Sequence, residues 1–145
     1  NVLSVLMLRL NGERYAMPID KLTAVYEGIA VVPVPCTPMF VSGIANVRGY
    51  MISILDLSHL LDVPGNDDGK DQNVLIVVSN ETMRLGYRVD QIGEVRNFAK
   101  DELASVPANF DNGAYVKHIL PDGTALLDID ALLDDPRIIV DETLN

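Results

Sequence analysis

The fold is decided by the first residues of the chain, Val2-Leu3-Ser4-Val5-Leu6-Met7-Leu8-Arg9-Leu10, which run directly into Asn11-Gly12 and a second segment that begins at Glu13. The first segment is almost entirely apolar, which is typical of a strand that is buried on both faces. Asn and Gly tolerate positive φ, and this pair between two such segments is the strongest short-range signal of a β-hairpin. The chain is therefore predicted to begin with a hairpin whose second strand ends near Pro18.

Apolar segments of strand length recur after this hairpin. Strands are predicted at residues 50–55, 74–78, 85–89 and 115–120, and residues 124–127 follow a turn at Asp122-Gly123. Asp56 and Asp128 stand where N-caps belong, and each is predicted to begin a short helix. The proline-rich residues 31–38 are predicted to form an extended loop or a sheet edge. Together these patterns predict a mainly β fold with a few short helices.

The two halves of the chain resemble each other. Residues 19–25 parallel residues 89–95, and residues 54–61 parallel residues 126–133. One explanation is that apolar patterns align easily by chance. The other is a pair of similar β subdomains, at about residues 1–65 and 70–136, with a polar connector at 64–71, a tail at 137–145 and an exchange of strands left open. Units of about 70 residues would have to pack together to bury enough surface, and such packing leaves a groove.

The charge of the chain limits its partners. Its 145 residues include 21 acidic and 11 basic ones, which gives a net charge of −10. A surface this negative repels nucleic acid and anionic membranes and favours basic patches on other proteins. No apolar run reaches the roughly 18 residues that a membrane span needs. Cys36 is the only cysteine, so no internal disulfide can form and a cytoplasmic location is expected.

The sequence gives little sign of catalysis. His59 and His118 are the only histidines, and neither has a second ligand at metal-binding spacing. Cys36 has no basic neighbour in sequence that would lower its pKa and make it a nucleophile. The chain lacks a Gly-x-Ser-x-Gly elbow and a P-loop. We therefore predict no catalytic residues, cofactor or metal, and expect that the protein is not an enzyme.

Arg48 stands out because it is the only basic residue between Lys21 and Lys70. It lies in the stretch Gly43-Ile44-Ala45-Asn46-Val47-Arg48-Gly49, whose glycines allow tight turns or close approach by another chain. Two interpretations remain open. Arg48 forms a salt bridge with one of the many carboxylates, or it anchors a partner, since Arg is enriched at interface hot spots.

Several short motifs occur in a fixed order. The chain contains Tyr15-Ala16-Met17-Pro18-Ile19, then Val34-Pro35-Cys36-Thr37-Pro38-Met39-Phe40-Val41-Ser42-Gly43, then Asn46-Val47-Arg48-Gly49 and Ile54-Leu55-Asp56-Leu57. The second half continues with Gly86, Val89-Asp90, Glu94-Val95 and Leu127-Asp128-Ile129. Each piece alone is weak, but the ordered set resembles the CheW family of bacterial chemotaxis coupling proteins over nearly the whole chain.

The resemblance implies a fold and a function. The fold would be two SH3-like five-stranded β-barrel subdomains packed together, with a few short helices, over residues 1–136. The function would be a non-enzymatic adaptor that couples the cytoplasmic tips of chemoreceptors to a histidine kinase of CheA type, in the cytoplasm at membrane-associated receptor arrays. Other CheW-like domains are further partners, whereas nucleic acid and direct membrane insertion are not expected. The alternative is a CheW-like regulatory domain of a larger kinase or receiver-linked protein, of CheA or CheV type.

The resemblance also implies two protein-binding surfaces. The receptor groove would include Val25, Val32, Gly43, Asn46, Arg48 and Gly49. The kinase-facing candidates are Gly86, Asp90, Glu94 and Val95. Four positions depart from the family pattern: Ala24 replaces a common Glu, Ser53 a Pro, Ser58 an Arg and His118 a Gly. These departures leave the particular receptor and pathway open, whether chemotaxis, pilus motility or another chemosensory system.

Overall fold

The first two strands, β1 (Val2–Leu10) and β2 (Glu13–Pro18), form the predicted hairpin in a computed structural model that describes residues 1–63, 74–81, 83–110 and 113–135. Leu10 pairs with Glu13, and Asn11 and Gly12 between them have φ values of 50° and 83°. A two-residue hairpin turn needs such positive values, which Asn and Gly adopt more readily than other residues. The predicted hairpin is confirmed.

Further strands and two short helices follow along the described chain. The strands are β3 (Leu22–Glu27), β4 (Val41–Val47), β5 (Tyr50–Asp56), β6 (Val74–Ser79), β7 (Arg84–Val89), β8 (Gln91–Ala99), β9 (Val116–Ile119) and β10 (Ala125–Leu127). The helices are α1 (Leu57–Leu60) and α2 (Ile129–Leu133), and 3-10 turns occupy Ile19–Lys21, Lys100–Glu102 and Gly113–Tyr115. The fold is mainly β, as the sequence predicts.

The strands form two five-stranded sheets that are built alike. Sheet A has the order β8-β1-β2-β10-β9, and sheet B has the order β3-β6-β7-β5-β4. In each sheet a central hairpin, β1–β2 or β6–β7, pairs on one side with an antiparallel strand, β8 or β3. On its other side it pairs in parallel with the final strand of a second hairpin, β10 or β5. Two five-stranded sheets with a few short helices are the architecture that the resemblance implies.

The similar construction gives the internal repeat a structural meaning. Residues 19–25 and 89–95 lead into β3 and β8, and residues 54–61 and 126–133 contain the ends of β5 and β10 with the helices that follow. Matching sequence segments therefore occupy matching places, which favours two similar units over a chance alignment. Sheet A combines β1 and β2 with β8 to β10, so each sheet takes strands from both sides of the predicted connector. Most of that connector, predicted at 64–71, and the tail at 137–145 lie outside the described residues.

Three hydrophobic cores lie within the described part of the chain. Alternate side chains of β1 point to opposite sides, so Leu6 and Leu8 enter a core shared by both sheets and both helices, whereas Val5 and Met7 fill the interior of sheet A. The side chains of β6 divide in the same way between the shared core and the interior of sheet B. Burial on both faces explains why these two strands are continuous apolar runs.

Each helix begins at a carboxylate, as predicted. Asp56 Oδ1 accepts hydrogen bonds from the backbone nitrogens of Ser58 (3.1 Å) and His59 (3.3 Å) and from Ser58 Oγ (2.6 Å). Asp128 Oδ1 accepts from the nitrogen of Ala131 at 3.1 Å. These bonds satisfy backbone donors that the first turn of a helix leaves unpaired.

Candidate protein-binding surface

The hairpin of β4 and β5 presents Arg48 to solvent. Arg48 and Gly49 form its two-residue turn, with φ values of 53° and 86°. Asn46 Oδ1 accepts a hydrogen bond from the nitrogen of Gly49 at 2.9 Å, which fixes the turn from within the strand. Two positive φ values match the twist of the flanking strands in a hairpin of this length. The turn therefore fixes the backbone of the exposed Arg48 at the tip.

Arg48 lines a concavity of about 330 Å³ in sheet B. Ala24 and Tyr26 of β3 line the same space, so the concavity extends across the sheet from one edge strand to the other. Arg84 and Tyr50 also line it, and the Arg84 guanidinium carbon lies 5.2 Å from the centre of the Tyr50 ring, a cation–π distance. No described residue forms an ion pair with Arg48, so the salt-bridge interpretation finds no support in this part of the molecule.

The extended loop packs against β4 where Val32 meets Gly43 and Ile44. The nitrogen of Val32 donates to Ile44 O at 2.8 Å, and the nitrogen of Ile44 donates to Val32 O at 2.9 Å. Gly43 has a φ of 147°, and a Cβ there would lie 2.1 Å from Val32 O, so only glycine lets the loop approach this closely. Val32 is 58% exposed and Met39 is 82% exposed, which gives this edge an apolar surface.

The predicted receptor-groove residues therefore divide into two groups. Val32, Asn46, Arg48 and Gly49 are exposed on β4, its turn and the loop beside it. Gly43 is buried under that loop, and Val25 is half-buried against the core shared by the two sheets. The first group offers contact surface, and the second supports it.

The kinase-facing candidates also divide. Glu94 and Val95 are exposed on β8, an edge strand of sheet A. Gly86 is buried in β7, where a Cβ would lie 2.5 Å from Ile54 Cδ1, so it exposes no surface. Asp90 is half-buried, and its Oδ2 accepts a hydrogen bond from the nitrogen of Asn11 at 2.6 Å. Gly86 and Asp90 thus hold the fold together at these positions.

Sheet A has a concavity of its own, of about 270 Å³, lined by Arg14, Arg96 and Glu94 among others. Asp122 Oδ2 lies 3.7 Å from Arg14 Nη2 and 3.2 Å from Arg96 Nη1. Partial burial of the Asp122 carboxyl acts to raise its pKa, but the hydrogen bond from the backbone nitrogen of Thr124 and the charges of the two arginines outweigh it and lower the pKa below the usual range. The guanidinium groups of Arg14 and Arg96 are therefore paired with a carboxylate within the chain.

The sequence did not single out Tyr26, Tyr50 or Arg84, although they line the concavity in sheet B. The internal repeat could have pointed to Arg84, because Arg84 occupies the place in β7 that Arg14 occupies in β2. The described residues contain no group of three or more His, Cys, Asp or Glu side chains that could hold a metal ion. None of the described helices is long and apolar enough to cross a membrane.

Comparison with known proteins identifies the family. The profile of the CheW-like domain matches residues 4–137. The chain belongs to the CheW-like domain family. It is 25% identical to the chemotaxis protein CheW of Thermotoga maritima, over 90% of this chain and 87% of that protein, and 23% identical to that of Bacillus subtilis, over 90% and 86%. The crystal structure of the scaffolding protein TtCheW from Thermoanaerobacter tengcongensis matches with a TM-score of 0.76 and 25% identity, over 88% of each chain.

The departures from the CheW pattern fall in distinct environments. Ala24 lines the sheet B concavity, where a Glu would introduce a carboxylate beside Arg48. Ser58 is buried and donates to Asp56, so it has a local role in beginning α1. Ser53 is half-buried in β5, and His118 is half-buried in β9, where it pairs with Leu126. Only the change at Ala24 alters the lining of the candidate surface.

Proposed function

We propose that this protein is a non-enzymatic adaptor that couples chemoreceptors to a histidine kinase of CheA type in a chemotaxis or related chemosensory pathway. Membership of the CheW-like family supports this proposal, as does a match that spans most of the length of the relatives. The observation that carries it is the exposed tip of the β4–β5 hairpin. There the backbone at Arg48 and at the neighbouring apolar residue Val32 is fixed by a two-residue turn and by the Val32–Ile44 bridge.

The exposed receptor-facing residues are Val32, Asn46, Arg48 and Gly49, and Gly43 and Val25 position them. Tyr50 and Met51, 63% and 62% exposed, extend the surface along β5. Exposed aromatic, Met and Arg side chains on a rigid support are typical of interface hot spots. For the kinase we assign β8 around Glu94 and Val95, an edge strand with Val95 55% exposed. Gly86 and Asp90 act on that side only through the fold.

The test is a charge reversal with a matched control. Arg48→Glu should weaken binding of a purified receptor-tip fragment from the same organism by about tenfold or more, since loss of an interface hot spot costs roughly 2 kcal/mol. Lys117→Glu makes the same charge change at an exposed residue of β9 and should leave receptor binding unchanged. Thermal unfolding of both variants verifies the fold. Unchanged receptor binding by folded Arg48→Glu would reject Arg48 as an anchor.

The kinase side is measured in the same assay. Val95→Asp should weaken binding of the CheA-type kinase and spare the receptor fragment, because β8 belongs to the other sheet. If the unmodified protein binds neither receptor nor kinase, the adaptor function itself is wrong.

A further inference from the structure

The sheet B concavity contains two guanidinium groups and, among the described residues that line it, no carboxylate. Arg48 and Arg84 line it together with Tyr26 and Tyr50. The chain as a whole carries a net charge of −10, so a local excess of positive charge is unexpected. Two arginines in one concavity repel each other unless an anion lies between or beside them.

The second sheet provides an internal comparison for this arrangement. Ser53 of β5 pairs with Leu85, and Ala125 of β10 pairs with Tyr15. Arg84 immediately precedes Leu85, and Arg14 immediately precedes Tyr15. On the strands that pair with them, Tyr50 lies three residues before Ser53, and Asp122 lies three residues before Ala125. The position of Asp122 in sheet A is therefore occupied by Tyr50 in sheet B.

The carboxylate that lines the sheet A concavity itself, Glu94, is also replaced. Glu94 lies in the repeat at the position that Ala24 occupies in the first half, and each lines the concavity of its own sheet. In sheet A, Glu94 Oε1 lies 4.0 Å from Arg96 Nε, and Asp122 pairs with both Arg14 and Arg96. In sheet B, the methyl group of Ala24 takes the position of Glu94, and the phenol ring of Tyr50 takes the position of Asp122.

The replacement by Tyr50 leaves the donors of Arg84 available. A guanidinium that stacks on a ring uses its face, while its N–H groups point outward in the plane of the group. The ring also restricts the side chain, so less conformational entropy is lost when an acceptor binds. The backbone of Arg48 is placed by its turn, as described above. Both guanidinium groups therefore face one concavity, in which the described chain provides no carboxylate.

We propose that this concavity binds an Asp or Glu side chain of a partner protein, which supplies in trans the carboxylate that sheet A contains in cis. This inference rests on the proposed function, because it names the chemistry of the partner at the same surface. The equivalent concavity in sheet A is lined by the carboxylate of Glu94, and its Arg14 and Arg96 pair with Asp122, which argues for that group in particular. The negative charge of the whole chain opposes a polyanion and admits a single acidic side chain on a protein segment.

The test uses short peptides, so that neither receptor nor kinase is needed. The protein is labelled with ¹⁵N, and the side-chain Nε–Hε signals of its arginines are followed by NMR during addition of acetyl-Glu-Leu-Glu-amide or acetyl-Gln-Leu-Gln-amide. The Glu peptide should shift the signals of Arg48 and Arg84 saturably, and the Gln peptide should not. The signals of Arg14 and Arg96, which are already paired, should change little.

Two variants make the test specific. Ala24→Glu should place a carboxylate in the concavity, as Glu94 does in sheet A, and remove the response of Arg48 and Arg84 to the Glu peptide. Arg84→Gln should also remove the response of Arg48, so the test does not depend on whether Ala24→Glu folds. Lys117→Gln should leave the response of Arg48 intact. Equal shifts with both peptides, equal shifts at Arg14 and Arg96, or an undiminished response in folded Ala24→Glu would each overturn the inference.

The outcomes also separate this inference from the adaptor function. If the peptide response is missing while receptor and kinase bind normally, the carboxylate site is wrong and the adaptor function stands. If the Glu peptide binds as expected while neither protein partner binds, the site stands and the adaptor function fails.

Discussion

Gly43 lies in β4 at the point where the loop around Val32 crosses the strand. Its φ of 147° is one that residues with a side chain rarely adopt, and a Cβ would lie 2.1 Å from Val32 O. The loop is held there by the two hydrogen bonds between Val32 and Ile44. One residue without a side chain thus determines where the exposed Val32 lies relative to the Arg48 turn.

Gly43→Ala should lower the free energy of unfolding by about 3 kcal/mol, because it combines backbone strain with displacement of the bridged loop. Gly28→Ala is the matched control: Gly28 also has a positive φ, 75°, but a Cβ there would meet nothing within 4 Å, so only about 1 kcal/mol is expected. Urea unfolding measures both. Equal losses for the two variants would show that the contact with Val32 contributes nothing.

At the scale of single residues, the sequence identified Arg48 because it is the only basic residue in a long stretch. It did not identify Tyr50 and Arg84, because their significance comes from a contact between strands that are distant in sequence. Gly86 was assigned to a partner surface from its motif, yet its place against Ile54 is buried. A motif fixes which residue is present but not the direction that it faces.

Among the elements, the hairpin β1–β2, the other apolar strands and both helix starts could be predicted, whereas β3, β4 and β8 could not. Each of these three strands takes part in a pairing with a β-bulge, between Leu22 and Ala24, between Val41 and Gly43, and between Leu6 and Leu8 of the β1–β8 pair. A bulge shifts the alternation of inward and outward side chains. The period-two pattern that reveals a strand is therefore broken in the first part of each of these strands.

The helix starts differ in strength although they occupy matching places. Asp56 is buried and accepts three hydrogen bonds through Oδ1, whereas Asp128 is half-buried and accepts one from Ala131. Asp56→Ala should therefore destabilise the protein by about 2 kcal/mol and Asp128→Ala by about 1 kcal/mol. Midpoints of urea unfolding provide the comparison, and Asn variants at both positions serve as controls that keep one capping oxygen. A larger loss at Asp128 would contradict this ranking.

At the scale of the whole molecule, the repeat could be predicted but the partition of its strands between sheets could not. Each half supplies a hairpin to one sheet and three further strands to the other. Because the two hairpins resemble each other, the sequence pattern alone is consistent with two arrangements. Each hairpin could join the three strands of its own half or the three strands of the other half. The difference depends on the path of the chain between β2 and β3 and between β7 and β8, which local propensity does not determine.

This partition predicts that neither half folds alone. A fragment of residues 1–63 contains the β1–β2 hairpin but lacks β8, β9 and β10, and it contains β3 to β5 without the β6–β7 hairpin that joins β3 to β5. It should give a poorly dispersed NMR spectrum, as should residues 74–135. An equimolar mixture should regain the dispersed spectrum of the intact chain, because both sheets and their shared core can then form.

Sedimentation tests the alternative that the fragment of residues 1–63 folds as a dimer. Because β1–β2 resembles β6–β7, two copies of residues 1–63 could pair, each hairpin completing the β3–β5 sheet of the other copy. Such a fragment would be folded but dimeric, and adding residues 74–135 should replace one copy, since the native side chains of the shared core fit that hairpin. A folded monomer of residues 1–63 would contradict the prediction, because it would show that each half completes a sheet with its own strands.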